Sequence, residues 1–86
     1  PPAGSPGASA ASPLSEGGDL AQALGQRVRK RRTILGLTQA ALAKRLGLAH
    51  QQIGKYETGM ANIKVGRLAS LALGLETTVT DLVRGF

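Results

Sequence analysis

His50, Gln51, Gln52 and Lys55 fall within six consecutive positions of this 86-residue chain, and their side chains suit one kind of chemistry. The carboxamide of Gln51 sets a donor beside an acceptor, the pattern that pairs bidentately with adenine. Lys55 can donate to guanine O6 or N7, and neutral His50 can donate or accept according to its tautomer. If the segment is helical, residue 55 lies about 140° past a full turn from residue 50. The three side chains then share a broad face able to line one major groove. Gln52 sits at its edge, within reach of a phosphate or a flanking base. Hydrogen-bond reading of base edges in double-stranded DNA is the chemistry these types and spacings allow.

Competing chemistries have less to draw on. A metal site at His50 would need cysteine or paired acids nearby; the chain has no cysteine and five acidic residues, none paired near His50. The same poverty of carboxylates, with no phosphate-cradling glycine loop, argues against an enzyme, and no cofactor or metal is expected. Gln51 and Gln52 as ordinary solvent-exposed amides stay open as an alternative. Tyr56 reads better as core or edge packing than as a stacking platform.

To present those side chains, short helices must be held rigidly. Thr38 can cap a helix over Gln39–Leu46 whose Leu42, Ala43 and Leu46 lie on one face. Gly47 supplies a stop that tolerates positive φ. A second helix over His50–Glu57 turns Ile53 and Tyr56 inward, and Gly59 follows at its C′ position. Two brief helices joined by a tight glycine turn, the second with amide and basic groups outward, make a helix-turn-helix. Before it, Asp19–Leu35 predicts a long helix with Leu20, Leu24, Val28 and Leu35 inward. Arg27, Arg29, Lys30, Arg31 and Arg32 take its other faces, and Gly36 ends it. After it, Lys64–Leu73 predicts a helix buried through Val65, Leu68, Leu71 and Ala72, with Gly74 as its stop. Thr78 and Asp81 resemble a capping box for a last short helix, Val79–Arg84, docking through Val79, Leu82 and Val83.

Leu37-Thr38-Gln39, Leu42-Ala43, Leu46-Gly47, Ile53 and Tyr56-Glu57-x-Gly59 together closely resemble the Cro/C1-type (XRE family) helix-turn-helix domain of phage repressors and small bacterial transcriptional regulators. The resemblance covers residues ~20 to 86. It implies an all-α fold, a compact five-helix bundle of the lambda-repressor-like DNA-binding type with the helix-turn-helix at helices 2 and 3. It implies base contacts from His50, Gln51 and Lys55, with Gln52 beside them, and a contact from Gln39 to the DNA backbone. It also implies that Arg32 pairs structurally with Glu57. Phosphate contacts are further expected from Thr38 beside Gln39, and from Thr58, Asn62 and Lys64, which follow the recognition helix. Arg31, in the RKRR run, joins them as a flanking phosphate contact; the same run can also be a solvated helix face or a nuclear-import signal. Lys44 and Arg45 are expected to act at longer range.

The sequence departs from the family pattern in three places. Ala49 stands where Ser or Thr usually caps the recognition helix, forgoing ~1 kcal/mol. Gly54 occupies an interior helix position that usually carries a polar or basic side chain, at ~1 kcal/mol relative to Ala. It either lets the backbone approach DNA closely or simply weakens the helix. Leu75-Glu76-Thr77 makes a long connection before the last helix.

Composition fits this reading. The net charge is +6, and every Lys and Arg lies at Arg27 or later, pointing to a polyanionic partner. Aromatics are 2 % against 42 % hydrophobic overall, so the core must be aliphatic. No apolar run approaches the ~20 residues of a membrane helix, so no membrane partner is expected, and a cytoplasmic protein, bacterial or phage-encoded, is. Residues 1–18, rich in Pro, Gly, Ala and Ser, read as a disordered arm or linker, and residues 19–86 as the domain. Family members commonly dimerise on pseudo-palindromic sites, so a weak homodimer on DNA is expected, with Leu75, Val79, Leu82 and Phe86 as apolar contacts. A further domain or protein partner is left open. The alternative function is an antitoxin-like or coactivator-like protein-interaction module on the same fold.

Overall fold

The computed structural model describes residues 17–86. Five helices follow in order: α1 Gly17–Ile34, α2 Gln39–Leu46, α3 His50–Thr58, α4 Val65–Gly74 and α5 Val79–Val83. Among the described residues there are no strands. The expected arm falls mostly outside the described residues, but Gly17 and Gly18 form the first turn of α1 rather than the end of a linker.

Each short helix has an identifiable start and stop. Thr38 Oγ1 accepts from the Ala41 N–H at 3.0 Å to cap α2, and Thr78 Oγ1 accepts from the Asp81 N–H at 3.1 Å to cap α5. Gly47 ends α2 at φ 68°, and the Leu48 N–H returns to Ala43 O at 2.9 Å. Gly59 ends α3 in the same way at φ 78°, with the Met60 N–H on Lys55 O. These left-handed residues satisfy carbonyls that the helix ends would otherwise leave unpaired.

The end of α4 differs from expectation. Gly74 does not stop the helix; it is the last helical residue, and Glu76 takes the left-handed position at φ 57°. The Thr77 N–H closes the turn on Ala72 O at 2.9 Å. Gly74 packs closely on α2: a Cβ there would lie 2.8 Å from Leu46 Cδ2, so the Leu46 side chain would have to shift.

Leu24, Val28, Leu42, Ala43, Ile53, Tyr56, Leu71, Ala72, Leu75 and Leu82 form one aliphatic core with a single tyrosine. α1 turns Ala21, Leu24, Val28 and Arg32 inward, whereas Leu20 and Leu35 of the expected stripe are only half-buried. α1 also lies against the end of α3. A Cβ on Gly25 would stand 2.1 Å from Tyr56 O, and one on Gly59 2.8 Å from Gln22 Cα. Leu75 and Leu82, expected at a subunit contact, are core residues at 0 % and 4 % exposure. They close the bundle over α1, which leaves Val79 exposed and Phe86 half-buried. Val65, expected inside α4, is 85 % exposed.

Candidate nucleic-acid interface

The inner face of α3 is buried through Ile53, Tyr56 and Glu57. Its outer face carries His50, Gln51, Lys55 and Thr58, all exposed, with Gln52 half-buried at the edge. Ala49 begins the helix in extended geometry with no side-chain cap, and within the first turn the Gln52 N–H turns back to Ala49 O at 3.0 Å.

One buried ion pair fixes this helix. Arg32 Nε donates to Glu57 Oε2 at 2.6 Å and Nη2 to Oε1 at 3.0 Å, a two-pronged fork. Arg32 Nη1 also donates to Leu37 O at 2.7 Å, so one guanidinium joins α1, the α1–α2 turn and α3. The hydrogen bond to Glu57 raises the Arg32 pKa above its ordinary value; burial opposes this, and the carboxylate charge adds to it. Gln39 Nε2 donates to the same carboxylate at 3.1 Å, which ties in the first turn of α2. Among the described residues no buried side-chain nitrogen or oxygen lacks a partner.

The residues expected at phosphates fall into two groups. Asn62 and Lys64 are exposed, and with Gln52, Tyr56, Arg67 and Ser70 they line an open cleft of about 680 Å³ between α3 and α4. Lys64 is the uncapped N-cap of α4, whose first N–H groups and dipole favour an anion. Arg67 and Ser70 enter the cleft because α4 packs where it does.

The other residues have part of their hydrogen-bonding capacity in use. The Thr38 hydroxyl oxygen caps α2, and the Thr58 hydroxyl donates back to Gly54 O at 3.0 Å. Arg31 diverges most from expectation. Its Nε donates to Leu75 O and its Nη2 to Glu76 O, both at 2.9 Å, so this guanidinium closes the end of α4. Arg27 does the same for α5 through Leu82 O, with its charge 4.4 Å from the Phe86 ring centroid. In the RKRR run only Arg29 and Lys30 are solvated. Arg45 donates to Gly74 O and Glu76 Oε2, an exposed pair.

No group of three or more His, Cys, Asp or Glu among the described residues is placed to hold a metal ion. No helix there is long and apolar enough to cross a membrane.

A five-helix bundle with the α2–turn–α3 unit held by a buried Arg–Glu fork is a helix-turn-helix domain, and residues 28–82 match the family model described as helix-turn-helix. The chain belongs to that family, in its Cro/C1-type (XRE) branch. It is 47 % identical over 66 residues to an uncharacterized transcriptional regulator in the ATPase CF(0) region of Rhodospirillum rubrum, covering 72 % of this chain and 61 % of that protein. It is 40 % identical over 57 residues to an uncharacterized HTH-type transcriptional regulator of Sinorhizobium medicae, covering 66 % of this chain and 41 % of that one. The chain thus spans about three fifths and two fifths of these relatives' lengths. Among solved structures, the restriction-modification controller protein C.AhdI of Aeromonas hydrophila superposes with a TM-score of 0.70 at 34 % identity, over 72 % of this chain and 94 % of that one. The P22 c2 repressor protein in complex with a synthetic operator superposes at 0.66 and 30 % identity, over 73 % and 96 %.

Proposed function

We propose that this chain is a sequence-specific, double-stranded DNA-binding domain of a transcriptional regulator, acting in the cytoplasm, with α3 in the major groove. The observation that carries the reading is the division of α3. Its inner face is locked by Ile53, Tyr56 and the Arg32–Glu57 fork, while His50, Gln51 and Lys55 stand free on the outer one. Rigid presentation of donors and acceptors is what base reading requires. The likeness to a repressor solved with a synthetic operator supports the same docking.

In this reading Gln51 pairs with adenine, Lys55 with guanine, and His50 and Gln52 contact the bases beside them. Thr38, Asn62 and Lys64 hold phosphates, with Arg67 in the same cleft as Lys64. Thr58 joins them once its hydroxyl leaves Gly54 O. Two copies occupy a pseudo-palindromic site with half-sites about one helical turn, ~34 Å, apart. The work of the domain is binding, with no catalytic step.

Selection of bound sites from random duplex DNA tests this directly. An enriched, roughly palindromic site is expected, with Gln51→Ala relaxing preference at one base pair per half-site. No enrichment at moderate salt would sink the proposal and favour a module that grips a protein partner.

A further inference from the structure

Gly54 leaves a gap in the outward row of α3 side chains, between Gln51 and Thr58, and a side chain of the neighbouring helix borders it. A Cβ on Gly54 would meet Gln39 Oε1 at 3.7 Å and Nε2 at 3.8 Å, with no other atom beyond the helix's own within 4 Å. Gln39 comes from the first turn of α2 and is half-buried. Its amide has one orientation: Nε2 donates to Glu57 Oε1, and a carboxylate only accepts, so the nitrogen must face Glu57. Arg32 holds that carboxylate with two hydrogen bonds of its own. With one N–H committed to Glu57, the carboxamide keeps its second N–H and Oε1. Such a donor and acceptor match N7 and the N6 amino group of adenine.

We propose that Gln39, seated over Gly54, is a specificity-determining residue that reads an adenine in the register a side chain at position 54 would otherwise occupy. The inference rests on α3 entering the major groove, as proposed above. It goes beyond the backbone contact implied for Gln39 by the family resemblance. A Gln39 that only touches phosphate strengthens binding to all sequences alike, whereas one that reads adenine discriminates between them.

The experiment takes the full chain, Gln39→Ala and Gln51→Ala through site selection from random duplex DNA, with thermal unfolding of each measured in parallel. Gln39→Ala is expected to lose about tenfold preference for an A·T pair at one position per half-site, in line with a bidentate contact. That position should differ from the one relaxed by Gln51→Ala. If Gln39→Ala unfolds early, Gln39→Met keeps the length of the side chain without its donor and acceptor, and the same loss is expected. Uniform weakening with every base preference intact would overturn the assignment and leave Gln39 a phosphate contact. An unchanged binding profile would overturn it too. A wild-type chain that enriches no sequence would overturn both this inference and the DNA-reading proposal beneath it, whereas a preference that depends on Gln51 and not on Gln39 overturns this inference alone.

Discussion

A methyl group at Gly25 would lie 2.1 Å from Tyr56 O and 2.9 Å from Glu57 O, both backbone atoms that cannot swing aside. At Gly54 the same methyl would rest 3.7 Å from a flexible carboxamide, an ordinary contact. The two helical glycines therefore predict opposite results. Gly54→Ala should stabilise the domain by about 1 kcal/mol through helix propensity alone. Gly25→Ala should destabilise it by about 1–3 kcal/mol or more, because α1 and α3 must separate. Urea unfolding of the two variants, compared at constant m, checks both signs. Equal destabilisation would mean that Gly54 is kept for a reason of packing that the contact distances do not contain.

At the scale of elements, the helices of the reading unit are unequally secured. α2 has the Thr38 cap, while α3 starts at Ala49 in cap-compatible geometry with no side-chain oxygen to accept from its first turn. Ala49→Ser should add about 1 kcal/mol, or roughly 4–8 °C in Tm for a domain of this size. Calorimetry on the variant tests it, and an unchanged Tm would mean that the first turn of α3 frays in the folded protein. At its other end α3 depends on the Arg32–Glu57 fork, buried on both sides. Arg32→Ala leaves an unpaired carboxylate in the core and should cost about 3–5 kcal/mol, a large share of the stability of so small a protein. Arg32→Lys should recover only part of this, since an ammonium cannot donate to both carboxylate oxygens and Leu37 O in the same fork. Denaturation midpoints of the two variants give the comparison.

For the molecule as a whole, the net charge of +6 overstates what is free to meet DNA. Arg27, Arg31, Arg32 and Arg45 all donate to the protein's own carbonyls or carboxylates. Cations beside the reading helix are Lys55, Lys64 and Arg67. Binding should weaken as salt rises, and Lys64→Ala should reduce the log K against log salt slope by about 1 without changing base preference. Titration of one duplex at several salt concentrations measures the slope. An unchanged slope would remove Lys64 from the phosphate contacts.

Sequence by itself determined the number of helices, the bounds of α2 and the start of α3, because caps, αL glycines and apolar spacing are local signals that act within one or two turns. It also carried the Leu37–Gly59 pattern and, through the family resemblance, the Arg32 and Glu57 partners, 25 residues apart in the chain but side by side in space. What only the tertiary structure decided concerns groups whose role depends on which helix comes to rest against them. Arg31 looked free until α4 ended beneath it, and Leu75 and Leu82 looked available to a partner until α5 folded over α1. Gly74 read as a stop, yet it is helical and lies close against the end of Leu46, while Glu76 accepts the strained φ. Gly54 changed most: in the sequence it was a missing side chain, and in the fold the space beside it is bordered by Gln39, a residue fifteen positions away. Periodicity fixes which face of a helix turns inward, but only packing determines what fills the space at each point of that face.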